Sequence, residues 1–390
     1  MKEKINQWLQ FKRYNFRNYD FSLVAVVFLL TLISSYILSI VLADRFSMVK
    51  QIIIIVMGVF IILFFSLIDY HDLCLYAPIL YIITTIMAAA TKLSPLGTDL
   101  DTDSYRWLDF KVITFQPSEV CKIVVILSLA VFFNRARERG TLQTFKNFFI
   151  ACLITMIPTF FILIQSDLSS SVVIIAVMIM MLSVSGIGHK ILGPVAAISI
   201  PVISLLFWYV TQPNQKILQT YQWDRIHSWL HPEGYELTLM YQQNNSILSI
   251  ASGKLYGKLL EGTEDIRNYT NVGVTESDFV WTPISEEFGF VGCLMILILF
   301  SIIIIKCFKT AKNAKDYMGM MIASGIGAML CFQTFFNIGV TTSLLPNTGL
   351  PLPFLSNGMT SLLSNMMSVG ILLNIGIQPN RGSNSSLDYR

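Results

Sequence analysis

Ten stretches of about twenty consecutive apolar residues dictate what this chain can become. An α-helix needs roughly 20 such residues to cross ~30 Å of hydrocarbon, and no water-soluble core absorbs so many of them. With fuzzy ends the runs are 21–43, 51–68, 73–90, 117–133, 148–164, 171–187, 191–210, 284–307, 317–340 and 359–377. Each is continuously apolar rather than alternating, the pattern of helices and not of a barrel. The chain is 54% hydrophobic and only 13% charged, which excludes an ordinary soluble domain. The expected fold is all-α, a polytopic membrane protein with ten transmembrane helices.

Lysine and arginine in the short loops set the orientation. With the N-terminus inside, the inner segments carry sixteen of them: Lys2, Lys4, Lys12, Arg13, Arg17, Arg135, Arg137, Arg139, Lys146, Lys190, Lys306, Lys309, Lys312, Lys315, Arg381 and Arg390. The short outer loops carry five: Arg45, Lys50, Lys92, Arg106 and Lys111. Both termini are therefore expected in the cytoplasm. The loop between the seventh and eighth helices, residues 211–283, is too long to obey the rule and is left out of the count. The net charge of +3 is a topology signal and carries no implication of nucleic-acid binding.

The chain divides into a cytoplasmic interfacial segment (1–20), a ten-helix membrane domain (21–377, with its large outer loop 211–283) and a disordered cytoplasmic tail (378–390). The first segment interleaves Trp8, Phe11, Tyr14, Phe16 and Tyr19 with basic residues, as a segment lying on an anionic leaflet would. So long a charged stretch before the first apolar run argues against a cleaved signal peptide. All six cysteines fall in or beside the helical runs, so disulfides and cysteine metal sites are not expected. No internal repeat is evident.

Two outer segments, 91–116 and 211–283, exceed what a connector needs, which places the chemistry on the outer face. In "FQPSEVCK", Pro117 suits a first helical turn, and Ser118 and Glu119 favour its positive end. Lys122 shares a helix face with Glu119 about one turn inside the membrane. A charge at that depth pairs, lines a cavity or binds substrate. Two readings stay open: an ion pair locking two helices, or a cationic spot beneath Arg106 that faces a phosphate. Asp167 in "QSDLSSS" reads as the N-cap of the sixth helix. His227 and His231 have the i, i+4 spacing of metal ligands but no firm third ligand, so a solvated interfacial helix with Trp223 and Trp229 is the plainer reading.

Four carboxylates, Glu276, Asp278, Glu286 and Glu287, stand against the start of a long apolar run in "VTESDFVWTPISEEFGFVG", residues 274–292. Asp278 is flanked by Phe279, Val280 and Trp281, which dry it at the interface. Partial desolvation and the like charges of Glu276, Glu286 and Glu287 should raise its pKa and fit it for general-base work. Glu286 and Glu287 also suit the first turn of a helix. A solvated loop acid is the plain alternative for Asp278. Further on, Pro346, Gly349, Pro351 and Pro353 forbid regular helix in a segment too apolar for a surface turn, which implies a re-entrant stretch lining a cavity.

These pieces, in this order, resemble the SEDS family of bacterial membrane glycosyltransferases, the group of RodA, FtsW and SpoVE. The resemblance rests on Arg106 and Trp107, "FQPSEVCK" from Phe115, "QSDL" from Gln165, "YQQNNSILSIASGKLYGK" from Tyr241, "ESDFVWTPISEEFGFVG" from Glu276 and "LPNTGLPLPFLSNG" from Leu345. The large loop is closer to RodA than to FtsW. The resemblance implies polymerisation of lipid II, an undecaprenyl-pyrophosphate-linked disaccharide pentapeptide, on the outer face of the cytoplasmic membrane. It implies Asp278 as catalytic base toward the acceptor's C4 hydroxyl, and Glu286 and Glu287 in support. Arg106, Trp107, Ser118, Glu119, Lys122, Asp167 and Ser356 become candidates for substrate binding. Arg106 and Lys122 would meet the charge of the departing diphosphate, with a divalent cation (Mg or Mn) as a candidate helper although the sequence shows no carboxylate cage for one. The implied partner is a class B penicillin-binding protein.

Three departures from the family pattern stand out: "QSDLS" for Gln-Pro-Asp-Leu-Gly, "SNGMTS" for Ser-Tyr-Gly-Gly-Ser-Ser, and fewer glycines in "SIASGKLYGKLL". Two other functions compete with polymerisation. One is a transporter that moves a lipid-linked precursor between leaflets. The other is a weakly active scaffold for a penicillin-binding protein.

Overall fold

The computed structural model describes residues 14–42, 45–95, 97–98, 105–109, 111, 114–212, 214–218, 220–262 and 267–378. The interfacial segment expected over residues 1–13 and the tail beyond residue 378 lie outside them.

The helices in chain order are α1 (Phe21–Leu42), α2 (Arg45–Leu67), α3 (Tyr70–Leu75), α4 (Ala77–Leu93), α5 (Pro117–Glu138), α6 (Phe145–Ile164), α7 (Leu168–Val184), α8 (His189–Val210), α9 (Thr220–Leu230), α10 (Tyr241–Ser252), α11 (Gly257–Glu261), α12 (Trp281–Asn313), α13 (Tyr317–Thr341) and α14 (Met359–Ile377). Among the described residues, eight are long and apolar enough to cross a membrane: α1, α2, α5, α6, α8, α12, α13 and α14. The apolar α4 and α7 have 17 residues each.

The sequence placed the third run at 73–90, but the chain breaks at Tyr76 and α4 starts at Ala77. Pro78 in the first turn of α4 has no N–H to continue a ladder from α3, so a new helix must begin there. The all-α expectation also needs correction. Strands β1 (Gly97–Thr98), β2 (Trp107–Asp109) and β3 (Thr114–Phe115) form a small antiparallel sheet in order β1-β2-β3, pairing Thr98 with Trp107 and Leu108 with Phe115. Strands of two or three residues leave no alternation to read.

Burial sorts the bundle. Within the membrane windows, 78% of α5, 72% of α13 and 78% of α14 is buried, against 6% of α8. The three buried helices are also the least hydropathic of the eight, because they face protein instead of lipid and can carry polar side chains. Around them the outer helices present bare apolar surface: Phe60, Phe149, Ile198 and Trp208 are exposed.

One end of the bundle gathers the start of α1, the α2–α4 corner and the ends of α12 and α14. The Asn15 amide donates to the Ile377 carbonyl (2.9 Å), Lys306 binds Asp20 (2.7 Å), and His71 bridges Asp69 and Asp316 at 2.6 Å each. The opposite end carries the small sheet, the turn before α7, helices α9 to α11 and the stretch 343–358. That stretch contains no regular helix and buries Leu350, Leu352, Phe354 and Leu355, as the prolines required.

Candidate active site

The β-hairpin brings Arg106 down over the start of α5. Its Nη2 donates to the carbonyl of Ser166 (3.0 Å), in the tight turn where Ser166 takes φ +68. Beside it Asp167 caps α7: Oδ1 accepts from the Ser170 amide and the Ser169 hydroxyl (3.0 Å each), while Oδ2 accepts from Ser118 Oγ (2.9 Å) and Gln116 Nε2 (3.4 Å). Burial works to raise the Asp167 pKa, yet the Arg106 charge and the Ser170 donation outweigh it and hold the carboxyl below its ordinary value. Asp167 therefore sits charged, with its lone pairs in use.

One turn down α5, Lys122 Nζ binds Glu119 Oε1 at 2.8 Å, with both side chains essentially unexposed. Ser364 Oγ of α14 reaches Glu119 Oε2 at 3.4 Å. This is the buried ion pair of the structural reading, and it stitches α5 to α14. The Lys122 charge is also felt by Asp167.

Asp278 lies two residues before the Val280 that precedes α12, in the wall formed by Phe279, Val280 and Trp281, all buried. Three contacts hold its backbone. Asn337 Nδ2 donates to its carbonyl (2.8 Å), Ser356 Oγ donates to the Ser277 carbonyl (2.6 Å), and the Asn357 amide donates to the Glu276 carbonyl (2.7 Å). Ser356 also accepts from the Leu352 amide (2.8 Å), so the hydroxyl proposed for substrate is spent on fixing this loop.

The carboxylate of Asp278 is only partly accessible, and the atom density around it is that of an interior. Burial pushes its pKa up; Arg106 and Arg225 pull down, Asp167 and Glu276 push up, and the net is raised. The like charge expected from Glu286 and Glu287 comes instead from Asp167, beside Glu276. Both Asp278 Oδ2 and Arg106 Nη1 lie against Gly349, 3.1 and 3.4 Å from where a Cβ on that residue would stand. Gly349 has φ +70, so a side chain there is opposed by backbone and by space alike.

Arg225 was missed from sequence. It projects from α9 and donates through Nη1 to the Asn347 carbonyl (3.2 Å), while Trp229 Nε1 donates to the Ser343 carbonyl (3.0 Å). Thus α9 lies across the 343–349 stretch. Between them a void of about 20 Å³ is lined by Arg106, Ser166, Gln222, Arg225, Asn347 and Thr348. Buried Arg106 Nε and Thr348 Oγ1 have no hydrogen-bond partner among the described residues. Unmet donors around a space for roughly one water mark a site awaiting polar atoms, closed for the present by α9.

Glu286 and Glu287 do something else. Glu286 is unexposed and accepts from Lys258 Nζ (2.5 Å), Ser249 Oγ (2.5 Å) and the amides of Asn268 (2.8 Å) and Tyr269 (2.9 Å). Glu287 takes Arg267 Nε at 2.7 Å and Nη2 at 3.3 Å. They fasten the segment around Ser249, Lys258, Arg267 and Tyr269 to α12. The loop closes in because α12 breaks at Gly289, whose φ of +63 and ψ of −168 no ordinary residue adopts cheaply; a Cβ there would stand 2.3 Å from the Gly257 amide nitrogen. Although this loop has fewer glycines than its family pattern, Gly253 and Gly257 occupy the points of backbone contact.

His227 stacks on Trp223 with ring centroids 4.3 Å apart, and among the described residues no group of three or more His, Cys, Asp or Glu is placed to hold a metal. Around Asp278 the donors also fit a divalent ion poorly. Its charged neighbours include two arginines, and the oxygens of Asp167 are already engaged.

The family model described as a cell cycle protein, that of FtsW, RodA and SpoVE, matches residues 17–381. The chain belongs to this family. Among its relatives in the FtsW/RodA/SpoVE group, the peptidoglycan glycosyltransferase MrdB of Escherichia coli K12 is 32% identical over 301 residues, covering 77% of each chain. Stage V sporulation protein E of Bacillus subtilis strain 168 is 30% identical over 336 residues, 85% of this chain and 87% of that one. The fold matches a chain of a peptidoglycan synthase complex with a TM-score of 0.74 at 22% identity, over 92% of this chain and 97% of that one. It also matches the crystal structure of Thermus thermophilus RodA, with a TM-score of 0.66 at 21% identity, over 92% and 96%.

Proposed function

We propose that this FtsW/RodA/SpoVE family member is a peptidoglycan glycosyltransferase that polymerises lipid II, with Asp278 as general base. One observation carries the reading: an aspartate with a raised pKa, accessible at one edge, is held within the field of two arginines beside a void where Arg106 Nε and Thr348 Oγ1 are unmet. A sugar hydroxyl is too weak an acid to ionise in advance, so its proton must leave as the glycosidic bond forms. Asp278 accepts that proton from the acceptor's C4 hydroxyl, which attacks the anomeric carbon of the donor. Charge grows on the departing undecaprenyl diphosphate, and Arg106 and Arg225 meet it with fixed guanidinium groups. Lys122 stays behind them, paired to Glu119, and holds Asp167 and the start of α5 in place; Trp107 supports the hairpin that carries Arg106.

A void of about 20 Å³ admits no disaccharide, so the substrate enters only when α9 lifts from residues 343–349, breaking the Arg225 and Trp229 contacts. Arg225 then exchanges a carbonyl for a phosphate.

The topology of the active protein is ten spans, with α4 and α7 completing the eight longer helices. Both termini are cytoplasmic and the site lies on the outer face of the bacterial cytoplasmic membrane. The positions of the short-loop cations and the Asn15 to Ile377 contact support this. A class B penicillin-binding protein is the partner that would cross-link the strands, a reading supported by the shared fold with a chain from a polymerising and crosslinking complex.

The test is purified protein with its transpeptidase partner and labelled lipid II, wild type beside Asp278→Asn. Glycan chains from the wild type alone are expected. Leaflet transfer of lipid II that ignores Asp278 would establish the transporter instead, and neither activity would leave a scaffold.

A further inference from the structure

A hydroxyl inside a membrane helix usually bonds a carbonyl of its own helix, because hydrocarbon offers it no other acceptor. On α1, Thr31 donates to the Phe28 carbonyl (2.8 Å) and Ser39 to the Tyr36 carbonyl (2.6 Å). Ser34 does otherwise. Fully buried between them, it donates out of the helix to the Leu355 carbonyl at 2.7 Å, in the irregular stretch before α14. Gln51 Nε2 of α2 donates to the same Ser34 oxygen (3.4 Å), which leaves the hydroxyl proton for Leu355. Leu355 is itself buried, so its carbonyl depends on a protein donor.

That carbonyl belongs to a strained turn. The Leu352 carbonyl accepts the amides of Leu355 (3.3 Å) and Ser356 (3.1 Å), and the chain closes this turn by holding Phe354 at φ +64. A bulky residue persists in that conformation only where its surroundings over-determine it. Here the Phe354 side chain is buried, and the Ser34 hydrogen bond falls on the very next residue. Asp278 lies in a second turn of the same kind. Val274, which is β-branched, takes φ +54, and its carbonyl accepts the amides of Ser277 (3.2 Å) and Phe279 (3.3 Å). The two turns are joined twice, by Ser356 Oγ to the Ser277 carbonyl (2.6 Å) and by the Asn357 amide to the Glu276 carbonyl (2.7 Å). From α1 to the residue before Asp278, every step is a covalent bond or a hydrogen bond.

A base has to stand within hydrogen-bond reach of the proton it takes, and a displacement of about 1 Å can cost roughly a hundredfold in rate. Two strained turns that clasp each other fix such a position well, provided that something outside them keeps the strain from relaxing. We propose that Ser34 is a positioning residue for the reaction: its hydroxyl pins the turn at Phe354, and through Ser356 and Asn357 that turn sets where the Asp278 carboxylate stands. This rests on the reading of Asp278 as the base. It gives α1, a helix that contributes no group to the site, a defined effect on the rate.

Steady-state polymerisation of labelled lipid II by the full-length protein with its transpeptidase partner, beside hydrogen exchange of the segment 274–280, tests this. Ser34→Ala should lower kcat roughly tenfold and leave KM within about twofold, since the contact acts on the base and not on substrate binding. Exchange in 274–280 should quicken. Thr31→Ala, which removes a buried hydroxyl one turn away that bonds only its own helix, should alter neither kcat nor that exchange. Ser356→Ala should also lower kcat, and the double variant Ser34→Ala with Ser356→Ala should lose less than the product of the two single losses, because both act through one turn. A wild-type kcat in Ser34→Ala, a rise in KM alone, an equal loss in Thr31→Ala, or single losses that multiply would overturn the proposal. Asp278→Asn, run alongside, separates the two readings. Polymerisation by Asp278→Asn refutes the base itself, whereas an inactive Asp278→Asn beside a fully active Ser34→Ala refutes the brace alone.

Discussion

Asp278 and Glu286 lie eight positions apart, both near the start of α12, and the fold treats them in opposite ways. Glu286 is sealed from water with four donors on its two oxygens, one of them a lysine. Asp278 keeps an accessible edge, and its two arginines act on it as a field, each having spent a hydrogen bond on a backbone carbonyl elsewhere. A carboxylate whose lone pairs are all taken has no place for another proton. One that is dry and under-donated does. The difference separates a fastener from a base, and both come from one acidic stretch of sequence.

The largest expected effect breaks the open member of the pair. Asp278→Asn keeps shape and removes the proton acceptor, so polymerisation should fall by roughly 10³-fold while thermal unfolding stays near wild type. A variant that keeps even a tenth of the activity would end its role as base. Glu286→Gln should do the reverse. Lys258 would be left buried against a neutral amide, at a cost of about 3 kcal/mol, seen as a lower unfolding temperature and early proteolysis of the outer loop. Polymerisation by whatever remains folded should be close to normal.

The sequence could tell these acids apart only in part. The membrane runs were legible because hydrocarbon demands ~20 apolar residues and nothing else in the chain mimics that. The cap at Asp167 and the irregular stretch after Leu345 were legible for a similar reason: serine-rich caps and closely spaced prolines act locally. Glu286 misled because its partners, Lys258, Asn268 and Tyr269, come from a loop that folds back only where α12 breaks, and a single glycine in "EEFGFVG" does not announce a φ of +63. Arg225 lies in a segment whose plainest pattern is the spacing of His227 and His231. A lone arginine beside Trp223 and Trp229 in an interfacial helix is the signal that was present, since such a helix has to spend its charge somewhere. The sheet left no trace, its strands being too short.

Arg225 offers a finer test of the contrast. Arg225→Gln removes one of two cations from Asp278 and, in the proposed mechanism, one contact to the diphosphate. Activity should drop roughly tenfold to a hundredfold. The pH dependence should shift as well. Burial raises the Asp278 pKa, and Arg225 is one of the charges that limits the rise, so without it the pKa goes higher still. The base is then ionised only at higher pH, and the acid limb of kcat/KM should move upward, with the variant losing more activity at pH 6 than at pH 8. An unshifted limb would mean that the arginine does not act on Asp278.

The smallest effect is expected at the other saturated carboxylate. Ser118→Ala takes one neutral donor from Asp167, which keeps the Ser170 amide, the Ser169 hydroxyl and the Arg106 charge. A single neutral hydrogen bond is worth about 1 kcal/mol net, so unfolding should shift by a few degrees and polymerisation by less than tenfold. The margin is small because Asp167 does not depend on any one neighbour, as Glu286 depends on Lys258 for its direct ion pair. If Ser118→Ala instead abolished activity in a well-folded protein, Asp167 would have to be touching substrate. The division between saturated acids that hold the fold and an open acid that moves a proton would then fail at Asp167.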